Sequence, residues 1–122
     1  EDADVVVCGG RGMGGPEGFQ QLEELARLLE GAVGATRPPC EQEWVQSHSQ
    51  IGLTGKIVSP KLYIGVALSG SSQHVAGILG SKNIVAVNKD PEANIFRVAH
   101  YGVVGDYRKI LPAFINKCRE ES

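Results

Sequence analysis

The sequence has no apolar run approaching the roughly 18 residues that a membrane-spanning helix needs, so no membrane insertion is expected. It also lacks an excess of charge of either sign. Twelve Lys and Arg against 14 Asp and Glu leave a formal net charge of −2, too balanced to draw the chain to nucleic-acid phosphates or an anionic lipid surface. Cysteine is scarce and unpatterned. Cys8, Cys40 and Cys118 are odd in number and show neither CxxC nor Cys/His ligand spacing, which argues against both a disulfide framework and a metal site. They read as free thiols of a reducing compartment. No signal peptide is visible, and the chain opens at Glu1 only a few residues before a strand-like run; we read it as a piece of a longer polypeptide.

What is present fits one soluble domain spanning residues 1–122, large enough to bury a core, with ordinary hydrophobic (42%) and charged (21%) fractions. The informative excess is glycine, 16 residues gathered in short loops instead of spread along a linker. Glycine in loops marks places where backbone must approach something closely.

Residues 3–8, apolar but for Asp4, run around Val5, Val6 and Val7 in the pattern of a strand covered on both faces. After a loop over 9–15, Pro16 suits the first position of a helix. Phe19, Leu22, Leu25, Ala26 and Leu29 then recur at helical spacing until Gly31 stops the run. A short strand is expected at 32–35, followed by a long loop over 36–49 holding Pro38, Pro39, Cys40 and the only tryptophan, Trp44. Further strands are expected at 62–68, 84–87 and about Val103 and Val104. The helices are placed through Val75, Ile78 and Leu79, at a short turn capped by Asp90-Pro91-Glu92, and in a terminal amphipathic segment with Leu111, Phe114, Ile115 and Cys118 that Pro112 splits near its start. Strands alternating with helices at this spacing predict an α/β fold, a doubly wound parallel sheet of five to six strands with helices on both faces.

Ligands of such sheets bind beyond the carboxyl ends of the strands. Gly9-Gly10-Arg11-Gly12-Met13-Gly14-Gly15 contains G-x-G-x-x-G between a strand and a helix, the context of a dinucleotide fingerprint. The acid that an NAD site places after the second strand is missing, since Ala35, Thr36 and Arg37 stand there. The glycines alone would serve equally as a packing turn, but Arg11 among them points to an anion. Ser69-Gly70-Ser71-Ser72-Gln73-His74 opens a helix, where free N–H groups and the dipole favour phosphate; a serine there is equally an N-cap, and His74 is either a structural residue or a ligand contact. Ile51-Gly52-Leu53-Thr54-Gly55-Lys56 is a turn by itself. Asn88 and Asp106 each end a short strand, placed either to read an adenosine or to cap the next segment of chain.

In order, Gly9-Gly10-Arg11-Gly12, Gly34-Ala35-Thr36-Arg37, Ile51-Gly52-Leu53-Thr54-Gly55-Lys56, Ser69-Gly70-Ser71-Ser72-Gln73-His74, Val87-Asn88-Lys89-Asp90-Pro91-Glu92-Ala93 and Tyr101-Gly102-Val103-Val104-Gly105-Asp106 resemble the C-terminal domain of electron-transfer flavoprotein α-subunits. The likeness covers nearly the whole chain. It implies a Rossmann-like, DHS-like domain binding one FAD, with the subunit's N-terminal domain absent. In that pattern Arg11, Thr36 and the Ser69, Gly70, Ser71, Ser72 and Gln73 loop meet the pyrophosphate, while Asn88 and Asp106 meet the adenosine and Tyr107 belongs to the same cofactor set. Ile51, Gly52, Leu53 and Thr54 wrap the ribityl chain and flavin, the Thr54 hydroxyl partners flavin N5, His74 faces the pyrimidine end and Arg37 sits beside the ring. Leu53 stands where many relatives have glutamine, and the segment from Pro38 to Trp44 departs from the usual small-residue run.

The resemblance further implies an electron carrier, not an enzyme with its own substrate, so no general acid–base pair is expected. Electrons would come from flavin-containing dehydrogenases, as in fatty acid β-oxidation, and pass to a quinone-linked oxidoreductase or another acceptor, with a β-subunit completing a heterodimer. The compartment would be the bacterial cytoplasm, or the mitochondrial matrix if the source is eukaryotic. Negative charge arriving on the flavin would be favoured by Arg37 and a helix dipole. The rivals are an NADP-binding domain of a dehydrogenase or transhydrogenase, with Arg37 facing a 2′-phosphate, and a folded interaction module without redox work.

Overall fold

The computed structural model describes residues 3–45, 49–52, 55 and 57–121. Five strands, β1 (Val5–Gly9), β2 (Ala32–Ala35), β3 (Leu62–Val66), β4 (Asn83–Asn88) and β5 (Tyr101–Val104), form one sheet in the order β2-β1-β3-β4-β5, parallel at every pairing. The order reverses between β1 and β3, which opens a crevice at the carboxyl edge there, the place where open α/β sheets bind ligands.

The apolar runs of β1, β3 and β4 are explained by burial on both faces. Val7, Ile64, Val66 and Val87 point to a face covered by α1 (Pro16–Leu28), through Phe19, Leu22, Leu25 and Ala26, and by α4 (Tyr107–Glu121), through Leu111 and Ile115. Val6, Cys8, Tyr63, Ile84 and Ala86 point the other way, where the cover is loop and short turn: Ile51, Val58, Leu68, Ile78 and Ile95. On the first face Glu24 of α1 also pairs with Arg119 of α4. Among the described residues no cysteine is joined in a disulfide. No helix among the described residues is long and apolar enough to cross a membrane.

Three local expectations are corrected. The 36–49 segment is not all loop, because α2 (Arg37–Glu41) forms within it. Pro38 and Pro39 fall in its first turn, where missing N–H groups cost no intrahelical bond and the fixed φ favours the helix. The helix expected through Leu79 stops after one turn as α3 (Ser72–Val75), and turns follow. Its continuation is taken over by close packing on the 51–52 backbone: a Cβ on Gly77 would stand 2.7 Å from the Gly52 nitrogen. Finally, α4 runs unbroken through Pro112. That proline is exposed, so water can take the Arg108 carbonyl left without its helical donor.

Candidate functional site

The loops that follow β1 and β3 are laced together at the strand-order reversal. The Gly10 N–H donates to the Val66 carbonyl at 3.1 Å and the Gly12 N–H to the Ala67 carbonyl at 3.0 Å. Side chains are excluded from this contact: a Cβ at Gly10 would overlap Leu68, and one at Gly12 would lie 2.8 Å from the Ala67 carbonyl oxygen. Two fingerprint glycines therefore serve loop-to-loop packing, and Arg11 is left projecting from a short 3-10 turn (Arg11–Met13) with its side chain exposed. No carboxylate among the described residues forms an ion pair with it.

Beside that junction lies a groove of about 450 Å³, within the range of roughly 300–1,000 Å³ common for cofactor sites. Its walls come from the carboxyl ends of four strands and the segments after them: Arg11 and Gly12 after β1; Thr36, Arg37 and Pro38 after β2; Ala67, Leu68, Ser69, Ser71, Gln73 and His74 after β3; Asn88 at the end of β4, with Asp90 and Ala93 after it. Gln50, Ile51 and Gly52 close one side, anchored where the Ile51 N–H donates to the Ala35 carbonyl at 2.9 Å. Gly12, Gln50, Pro38, Ala67, Leu68, Asp90 and Ala93 were not among the cofactor-binding residues expected from sequence. The signal for most of them was adjacency to a named motif.

Thr36 occupies the N-cap of α2, yet its hydroxyl makes no cap hydrogen bond. A capping oxygen accepts from the second or third helical N–H, and here those positions are Pro38 and Pro39, which have none. The double proline thus leaves the hydroxyl available to the groove, where Thr36 lies. Arg37, next in line, is exposed and holds Glu41 one turn on, Nε to Oε2 at 2.8 Å.

The Ser69–His74 segment carries less dipole than expected, because α3 is only one turn long. Ser71 is its N-cap, accepting from the His74 N–H at 3.4 Å. Gly70 and Ser72 do not border the groove. Gly70 instead adopts φ +88° with its α-carbon against the Ile95 backbone, while the Ile95 N–H donates to the Ser69 carbonyl at 2.8 Å. His74 is 3% exposed, and burial pushes its pKa below the ordinary 6.5, with the Ile51 carbonyl acting in the opposite direction.

Asn88 is already engaged: its amide N–H donates to the Leu68 carbonyl at 2.8 Å and its side-chain oxygen accepts from the Asp90 N–H at 2.9 Å. Asp106 and Tyr107 lie outside the main groove in a cleft of about 70 Å³ that shares Gly12, Ala67 and Asn88 with it. Asp106 caps α4, accepting from the Arg108 N–H at 2.9 Å. That hydrogen bond, together with the Arg108 guanidinium, holds its carboxyl below the usual range. The Tyr107 hydroxyl donates to the Met13 carbonyl at 2.7 Å, tying α4 to the loop after β1. Leu53, Thr54 and Lys56 lie outside the described residues. Among the described residues no group of three or more His, Cys, Asp or Glu is arranged to hold a metal.

Residues 1–79 match the family model described as the electron transfer flavoprotein FAD-binding domain. The chain is 50% identical over 120 residues to an electron transfer flavoprotein subunit alpha of Thermoanaerobacterium thermosaccharolyticum, covering 98% of this chain and 36% of that protein. To the corresponding subunit of Bacillus subtilis it is 49% identical, covering 98% and 37%. To the mitochondrial subunit alpha of Dictyostelium discoideum it is 56% identical over 110 residues, covering 90% and 31%. The chain spans about a third of the length of these curated relatives. With matches of this extent, joined to a parallel sheet whose carboxyl-edge groove gathers the motif residues, the chain belongs to the electron transfer flavoprotein FAD-binding domain family.

Proposed function

We propose that this chain holds one FAD, extended along the carboxyl edge of the sheet, as the FAD-binding part of an electron transfer flavoprotein α-subunit. Its C-terminal place in the parent subunit belongs to the same proposal and rests on the resemblance of its motifs alone. The observation that carries the reading is convergence: residues from the first five of the six motifs border one groove, and Asp106 of the sixth borders the cleft beside it. The groove offers FAD two guanidinium groups, an uncommitted threonine hydroxyl and serine hydroxyls, a donor set suited to a pyrophosphate.

Bound FAD supplies reversible electron uptake; the protein binds it, orients it and sets its electrostatics. Arg11 and Thr36 meet the pyrophosphate together with the loop formed by Ser69, Gly70, Ser71, Ser72 and Gln73, in which Gly70 and Ser72 act through loop shape. Asn88, Asp106 and Tyr107 meet the adenosine, Asn88 through the amide hydrogen and lone pair that its present bonds leave over. Ile51, Gly52, Leu53 and Thr54 border the ribityl chain and ring, with the Thr54 hydroxyl at N5. His74 belongs to the pyrimidine end, which it lines while both of its nitrogens keep their present partners.

Arg37 sits beside the isoalloxazine and favours its negatively charged reduced form. Glu41 offsets part of that field, and both side chains are more than half exposed, so the effect is moderate. Arg37→Ala should lower the one-electron potential of the bound flavin by a few tens of mV, against about 59 mV for a tenfold change. Spectroelectrochemical titration of the assembled protein reads this directly, and an unchanged potential would remove Arg37 from the ring's surroundings. The NADP alternative is weakened by the same pair, since Glu41 opposes a 2′-phosphate at Arg37.

The proposed electron donors are flavin-containing dehydrogenases and the proposed acceptor is a quinone-linked oxidoreductase, with a β-subunit as partner in a heterodimer. The exposed apolar strip of β5, with Tyr101 at 65% and Val104 at 57% exposure, supports burial against further protein. A bacterial cytoplasmic or mitochondrial matrix setting fits described cysteines that form no disulfide.

A further inference from the structure

Cys8, Tyr63 and His74 meet in the core directly beneath the groove, and Tyr63 has no part in the function proposed above. Tyr63 is fully buried on the central strand β3. Its ring lies along the strand over Gly65, two residues on: a Cβ there would stand 2.9 Å from the ring and 3.0 Å from the hydroxyl oxygen. The bare glycine lets the phenol reach toward the carboxyl edge, where its hydroxyl is 2.7 Å from Nε2 of His74. On the opposite side of the imidazole, Nδ1 lies 3.0 Å from the Ile51 carbonyl oxygen.

These two contacts fix the proton. A carbonyl can only accept, so Nδ1 carries the hydrogen; the neutral ring then offers Nε2 as acceptor, and the Tyr63 hydroxyl is its donor. Burial keeps the ring neutral, pushing His74 down, and keeps the phenol protonated, pushing Tyr63 well up. Cys8, whose Sγ is 3.8 Å from the same Nε2, is raised to about 12 by burial and stays a thiol.

The Ile51 carbonyl belongs to the backbone that borders the groove. That backbone packs without side chains on the α3 turn, since a Cβ on Gly52 would meet the Gln73 carbonyl oxygen at 2.8 Å. We infer that Tyr63 is a positioning residue: by donating to Nε2 it holds His74 in the Nδ1–H form, and this ring clips the Ile51–Gly52 backbone to the groove wall. The opposite tautomer would set the Nδ1 lone pair against the Ile51 carbonyl and release the clip. The consequence for cofactor binding rests on the FAD-binding function proposed above; the clip itself does not.

The test uses the full-length polypeptide that carries this sequence, assembled with its partner subunit. Without FAD, 15N chemical shifts of His74 should report a neutral ring protonated at Nδ1 with Nε2 accepting a hydrogen bond. A ring protonated at Nε2 overturns the proposal whatever the variants do. In Tyr63→Phe, exchange of the Ile51 amide should quicken about tenfold relative to core amides of β1, and FAD should bind about tenfold more weakly. In a His74→Ala background, Tyr63→Phe should change neither quantity further, because its effect passes through the ring. Equal losses in both backgrounds would make Tyr63 a packing residue only and overturn the inference. If the wild-type protein takes up no FAD, the proposed function fails while the tautomer and exchange measurements still decide the clip.

Discussion

Gly70→Ala should destabilise the protein by roughly 2–5 kcal/mol and weaken the groove with it. Two effects combine at this position. The backbone is at φ +88°, where a side chain costs about 1–2 kcal/mol. The new methyl would also overlap the Ile95 backbone, where forced repacking typically costs about 1–3 kcal/mol. The displaced contact carries the Ser69–Ile95 hydrogen bond, so the strain falls on the loop that presents Ser69 and Ser71. Urea denaturation measures the loss, and Ser72→Ala, at an exposed residue outside the groove, is the control expected to stay within about 0.5 kcal/mol. A neutral Gly70→Ala would mean that this loop yields easily and does not define the groove.

Arg11→Ala should be nearly silent in stability and loud in binding. Its side chain is exposed and has no carboxylate partner among the described residues, so its removal should leave the unfolding free energy within about 0.5 kcal/mol of the wild type. A guanidinium meeting a pyrophosphate makes charge-assisted hydrogen bonds of about 1.5–3 kcal/mol, so the dissociation constant for FAD should rise roughly 10- to 150-fold. The loss should shrink as salt is added. Titration followed by flavin fluorescence gives both numbers. Equal affinity in wild type and variant would place the phosphates elsewhere. Arg37 differs, since it shares its charge with Glu41 and should matter to the flavin's potential more than to its retention.

Strands buried on both faces announce themselves as unbroken apolar runs, which is why the middles of β1, β3 and β4 were legible in sequence. Helix α1 was legible for a related reason, as Pro16 opens it and its apolar stripe faces the core. The misreadings share another cause. Pro38-Pro39 looks like loop because proline breaks helices, yet in a first turn it does no harm and frees Thr36. Turns after α3 look like helix because Val75, Ile78 and Leu79 have the right spacing, but Gly77 is pressed against Gly52, a contact 25 residues distant in the chain. Motif glycines were visible as a cluster, but not their task, since only the fold reveals that Gly10 and Gly12 lie against the loop after β3. The Tyr63–His74–Ile51 chain was hidden for the same reason: hydrogen bonds that join a strand, a helical turn and a loop leave no periodic trace, and only the gap at Gly65 hints at them.

Groove and loops together make one demand that a single titration meets. The full-length polypeptide carrying this sequence, purified with the proposed β-subunit and free of any cofactor, is offered FAD and, separately, NADPH. Uptake of one FAD for each copy of this domain, with the absorbance of a protein-bound flavin and indifference to NADPH, is the predicted result. Refusal of excess FAD by the intact, folded assembly would contradict the proposed function at its root.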